Sequence, residues 1–232
     1  MSANVCADGA TEDRQLAAAR AARTGEDAFF VRMARLEPAV IERAAGRITR
    51  QGAELTFSTV DGQKIAFRTR HECPDMEISP DNCVIFSAIA DIPSRHAFLV
   101  AAAYYEGADF RWIDDRTGRQ TILPGIPDFA PMGGRFLTID DRDHVYPGFM
   151  IWKLEHDGAV PIWEHRNYIN QLDYSGTFVR WTDPSRIFLE LDCEVVGEKA
   201  RLRPSANRKF KLAATIETGP RGWYLSVGWP WH

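Results

Sequence analysis

Two stretches decide the fold: Phe110–Leu123, FRWIDDRTGRQTIL, and Met150–Trp163, MIWKLEHDGAVPIW. They align without a gap, Trp112 on Trp152, Asp115 on Glu155, Gly118 on Gly158 and Ile122 on Ile162. Each has an aromatic and β-branched run, a polar turn holding glycine, and a second run. That is the pattern of a β-hairpin. Two further stretches share the shape, LTFSTVDGQKIAF around Gly62 and LELDCEVVGEKARL around Gly197.

A second element accompanies each hairpin, a turn leading into an apolar strand: ISPDNCVIFSA, FAPMGGRFLTI, LDYSGTFVRWT and IETGPRGWYLSV. A polar turn then follows three of these. It reads Asp91-Ile-Pro-Ser-Arg95 in one place, Asp140-Asp-Arg-Asp143 in another and Asp183-Pro-Ser-Arg186 in the third. Self-similarity at a period near ~40 residues marks a repeat architecture. From residue 47 onward helical periodicity is absent, and an all-β body is expected over 47–232.

With Ser79-Pro80-Asp81-Asn82 and Pro131-Met132-Gly133-Gly134-Arg135 at the turns, residues 50–228 resemble the β-propeller repeats of the WD40 or TolB-like kind. The resemblance implies a few-bladed propeller with the recurrent turns on one face. The sequence departs from that family in having about four repeats where five to eight blades are usual. Pairing the first hairpin with the last strand would close the ring and leave no exposed edge.

Residues 1–46 form a different part, an N-terminal helical segment. Thr11 caps EDRQLAAARAAR, and Phe29, Phe30, Met33 and Leu36 recur at helical spacing before Pro38. Pro38 is expected to open a separate short turn that Gly46 ends. The apolar stripe is expected to pack on the body.

Composition narrows the function classes. The 232 residues are 45% hydrophobic and 26% charged, with 28 Lys+Arg against 32 Asp+Glu for a net charge of -4. A domain that tracks a phosphate backbone carries a basic excess, so nucleic acid is not the expected partner. The longest apolar run, Ala97 to Tyr105, is strand-sized, well short of the ~20 residues of a membrane span. The four cysteines, Cys6, Cys73, Cys83 and Cys193, form no C-x-x-C pair. Cys73 and Cys83 bracket a Pro/Asp-rich stretch and are expected to close it with a disulfide, leaving Cys6 and Cys193 as the second pair. The opening MSANVCADGATEDRQ has neither the basic region nor the apolar core of a signal peptide. A periplasmic or secreted bacterial protein is the expectation, with a cytoplasmic one as the alternative.

No G-x-S-x-G elbow, H-E-x-x-H helix, P-loop or G-x-G-x-x-G follows from the sequence, and no catalytic residue or cofactor is assigned. The densest polar cluster, Asp140, Asp141, Asp143 and His144, has hard-cation chemistry but lacks the glycine and distal Glu of a calcium loop. If the recurrent turns share a face, Asp91, Arg95, His96, Asp141, Asp143, His144, Asp183 and Arg186 ring one opening, and Trp229 and Trp231 of the tail reach the same rim. The competing reading is that the Asp and Arg residues brace the sheets. A mixed acidic, basic and aromatic rim suits a protein partner, with a glycan second. The expected function is therefore a non-catalytic binding protein, an accessory, inhibitor or immunity-type factor. The alternative is a hydrolase or lyase acting on a glycan or small ester, metal-assisted through Asp141, Asp143 and His144.

Overall fold

The computed structural model describes residues 3–23, 29–70, 83–104, 107–140, 148–166, 172–195 and 209–228. Two helices, α1 (Ala3–Arg23) and α2 (Phe29–Arg43), precede the strands. All four sheets are antiparallel and each joins strands consecutive in the chain. The first holds β1 (Ile48–Gln51), β2 (Glu54–Ser58) and β3 (Lys64–Arg68). The second holds β4 (Ile85–Ile92), β5 (Ala97–Ala103), β6 (Ala108–Asp114) and β7 (Gln120–Leu123). The third holds β8 (Asp128–Phe129), β9 (Arg135–Asp140), β10 (Gly148–Glu155) and β11 (Gly158–Arg166). The fourth holds β12 (Leu172–Asp183), β13 (Arg186–Val195), β14 (Lys209–Gly219) and β15 (Gly222–Gly228).

The expected hairpins at Gly62, Gly118 and Gly158 are β2–β3, β6–β7 and β10–β11, while Gly197 lies outside the described residues. The second element does not repeat. It is the single strand β4, the hairpin β8–β9, the single strand β12 and the hairpin β14–β15. Nor do the first and last strands pair among the described residues: β15 pairs with β14, and β1 with β2. The mainly β architecture stands, as four meanders.

Contacts divide the chain into two compact units, Met1–Ile126 with Glu155–Ala159, and Pro127–Leu154 with Val160–His232. In the first, the inner face of β1–β3 packs on one face of β4–β7, and Val40 and Ala44 close the cluster. Phe57 and Phe98 are fully buried there, each contributing roughly 2–3 kcal/mol of hydrophobic stabilisation. Every side chain of β5, AFLVAAA, is buried, which is why its sequence is a continuous apolar run rather than an alternation. In the second unit, Leu137, Phe149 and Ile151 of one sheet share a core with Ile187, Leu189 and Ile216 of the other. Trp112, Trp152 and Trp181 are buried, and Trp163 packs partly buried against that second core. Packing, not a solvent-facing platform, accounts for these four.

The helices differ from expectation in their boundaries. Thr11 lies inside α1, and α2 runs through Pro38 without a break. Both are held by tertiary contacts that override local preference. Glu12, Gln15, Leu16 and Ala19 make one buried stripe on α1, and Met33, Glu37 and Val40 one on α2. The end of α2 is set where Ala45 (φ 49°) and Gly46 (φ 87°) turn left-handed.

The buried polar residues of these stripes meet β4, the edge strand of its sheet. The Ala88 N–H donates to Glu37 (2.9 Å), the Asp91 N–H to Gln15 Oε1 (3.1 Å) and the Ser94 N–H to Glu12 (2.8 Å). Arg50 donates to Glu37 and to the Phe86 carbonyl, and Thr69 Oγ1 accepts from the Phe86 N–H (3.1 Å). In a regular strand residues two apart face the same edge, whereas 88 and 91 are three apart. The bulge between Ala88 and Ala90 supplies the extra residue that turns both outward. Side chains thus seal an edge that no strand covers among the described residues.

Candidate functional site

The turn end of the second unit is built from three connections, β8–β9, β12–β13 and β14–β15. In the first, the Gly133 N–H donates to the Ala130 carbonyl (2.9 Å), closing a four-residue turn with Pro131 second and Met132 third. Met132 has φ 75°, the left-handed third position at which a type II turn favours glycine. A side chain there costs about 1 kcal/mol relative to glycine, and Met132 is 95% exposed.

Beside it, Arg135 opens β9 with its guanidinium carbon 5.8 Å from the centre of the Trp223 ring, and one Nη donates to the Pro184 carbonyl (3.3 Å). The Trp223 ring meets Trp181 edge-on at 6.3 Å, and the Trp181 Nε1–H donates to the Asp128 carbonyl (3.0 Å). The cation therefore lies against one ring, Trp223, that a second, Trp181, braces. On the opposite face of the β12–β15 sheet, Arg186 and Tyr224 both stand opposite Glu217 in the ladder. Arg186 pairs with one Glu217 oxygen (2.7 Å) and the Tyr224 hydroxyl donates to the other (2.6 Å). That hydroxyl bond first, and Arg186 next, hold the Glu217 carboxyl below its ordinary range, while the carboxylate pushes the Tyr224 phenol up.

A second polar cluster lies in the first unit. Arg47 donates to Asp91 and, at 2.9 Å, to Asp115, and its guanidinium sits 4.9 Å over the Phe98 ring. The His96 Nδ1 lies 3.3 Å from Asp115 Oδ1. His96 itself is left-handed, at φ 51°, with the Asp115 N–H donating to its carbonyl (2.8 Å). Burial raises the Asp91 carboxyl above its ordinary value; the Arg47 bond and charge pull the other way without prevailing.

The described residues of the expected rim are distributed over the two units. Asp91, Arg95 and His96 belong to the first unit, Asp183 and Arg186 to the second. The recurrent Asp and Arg do not pair with each other. Asp91 pairs with Arg47, and Arg95 with Glu12 (3.0 Å). Asp183 holds the Ser185 N–H (2.8 Å), which lowers its pKa along with the Ser185 hydroxyl, and Arg186 holds Glu217. Asp141, Asp143, His144, Trp229 and Trp231 lie outside the described residues, and of Asp140 only its place at the end of β9 is described. Among the described residues no group of three His, Cys, Asp or Glu is placed to hold a metal.

Cys193 is a buried thiol with its Sγ 3.8 Å from the Leu191 carbonyl, so the expected Cys6–Cys193 disulfide is not made. Cys73 lies outside the described residues.

Met132, Arg135, Trp223 and Tyr224 were not among the candidate site residues read from the sequence, where Met132 and Arg135 entered only as part of a repeat turn. One signal was legible: a methionine between proline and two glycines, where glycine is the favoured third turn residue. The stacking of Arg135 on a ring nearly ninety positions away had no local signature. Comparison with family models, characterised proteins and solved structures finds no match for the chain.

Proposed function

We propose that the protein is a non-catalytic binding protein whose second unit docks a protein partner through its turn end. The observation that carries this is Met132, 95% exposed on a left-handed residue, three positions before the Arg135 that lies against Trp223. Met, Arg, Trp and Tyr are the side chains enriched at interfaces and at their energetic centres. A strained backbone that displays an apolar side chain to water has no folding benefit to offset its cost. An accessory, inhibitor or immunity-type factor of a bacterial periplasm, or a secreted one, is the setting that goes with this reading. A Cys73–Cys83 disulfide belongs to the same proposal, supported by the even number of cysteines and the short Pro/Asp-rich stretch between this pair. So does a few-bladed propeller, supported by the succession of meanders.

The test is affinity capture from a homologous extract with the wild type and with Met132→Asp and Tyr224→Ala. Expected is one stoichiometric partner, lost with Met132→Asp while the melting temperature stays within a few degrees. No partner, together with turnover of a glycan or ester panel, overturns the proposal. The hydrolase or lyase reading rests on Asp141, Asp143 and His144, outside the described residues, and no specific observation favours it.

A further inference from the structure

Resting on the reading of the turn end as a docking surface, we infer the chemistry of the partner: a protein segment that brings a carboxylate to Arg135 and an apolar side chain against Met132. The argument begins with charge. Arg135 has the Pro184 carbonyl as its hydrogen-bond acceptor and the Trp223 ring beneath it, and among the described residues no carboxylate stands within ion-pair distance of it. Arg186, on the opposite face of the sheet, by contrast gives its Nε and one Nη to Glu217. Arg135 and Arg221, the latter exposed in the β14–β15 turn, are therefore the cations of this end with no carboxylate partner among the described residues, and Arg135 is the one that lies against an aromatic ring.

Geometry makes the same point. Arg135 gives one Nη to the Pro184 carbonyl, which leaves its Nε and other Nη as the adjacent pair that a carboxylate takes side by side. The Trp181–Trp223 pair removes the rotamer freedom that an exposed arginine would otherwise lose on binding. Met132, three residues earlier and standing clear of the surface, supplies an adaptable apolar contact beside the charge. An acidic residue next to an aromatic or aliphatic one satisfies both at once; a basic or wholly polar segment satisfies neither.

The experiment is selection of a random dodecapeptide display library on the whole protein, run in parallel on Arg135→Ala, Arg135→Lys and Met132→Gly. The wild type is expected to enrich peptides with Asp or Glu adjacent to Phe, Leu, Trp or Tyr. Arg135→Ala is expected to bind those peptides at least about tenfold more weakly and to lose the acidic enrichment, with Arg135→Lys in between, since it keeps the charge without the planar fork. Met132→Gly, which relieves the turn, is expected to lose the apolar neighbour from the enriched set while keeping the acid. Peptides enriched equally by wild type and Arg135→Ala, or lacking acidic residues, overturn the inference and leave the docking surface standing. If no peptide is enriched on the wild type and Met132→Asp leaves partner capture unchanged, both fail together.

Discussion

Gly118 has φ 70°, and a Cβ built on it would stand 2.9 Å from Gln63 Oε1 and 3.2 Å from Ile65 Cδ1. Gly118→Ala therefore meets a left-handed penalty and a crowded neighbour together, and is expected to cost about 1–2 kcal/mol in urea unfolding. A loss below about 0.5 kcal/mol would mean that Gln63 simply moves aside. Arg47 compensates two buried carboxylates, Asp91 and Asp115. Arg47→Ala is expected to cost on the order of 2 kcal/mol, less than the ~3–5 kcal/mol of a fully buried pair because the guanidinium is 31% exposed. The pH behaviour of these residues has a definite sign. Asp91 holds its proton more tightly folded than unfolded, so its contribution is favourable below the unfolded pKa and lost as pH rises through the folded one. Asp114 does the reverse: burial pushes it up, but bonds from Arg116 and Thr117 outweigh that, so its contribution is lost as pH falls. Asp91→Asn is accordingly expected to steepen the fall in urea midpoint between about pH 5 and 3, and parallel profiles for the two proteins would refute the assignment.

At the scale of elements, the hairpins with glycine turns were legible because the alternation of apolar and polar residues and the turn chemistry are both local. Their sorting into sheets was not. FAPMGGRFLTI and LDYSGTFVRWT look alike, yet the first is a tight hairpin and the second one long strand with two irregularities in its register. The helix faces misled for a different reason. Half of the α1 stripe is Glu12 and Gln15, which a hydrophobic pattern assigns to solvent, and Pro38 reads as a break. Their role becomes visible only when β4 arrives with backbone donors and no neighbouring strand on that side. Glu37→Ala leaves the buried Ala88 N–H without its acceptor and Arg50 with the Phe86 carbonyl alone, an expected loss of about 2–3 kcal/mol. Hydrogen exchange at Ala88 should accelerate more than at Leu99 on the neighbouring strand; equal acceleration would show that the seal is not local.

At the scale of the whole molecule, contacts group the helices with the strands up to Ile126 and with Glu155–Ala159, and hydrogen bonds to β4 tie the helices into that unit. Thiol chemistry tests the compartment. Cys193, buried in the second core, is expected to resist iodoacetamide until the chain is denatured, while the unreduced mass of the native protein is expected to show one disulfide. Rapid alkylation of Cys193 in native buffer would contradict its burial, and four alkylatable thiols would remove the case for an oxidising compartment. The seal on β4 has one more consequence, for the order of events in the cell. Synthesis runs from the N-terminus, so the segment carrying Glu12, Gln15 and Glu37 has left the ribosome before the strand it protects exists. The strand is born into a chain that already holds its cover, and a sticky edge need never meet another chain while it waits. A polypeptide begun at residue 47 would make the same strand with nothing upstream to receive it.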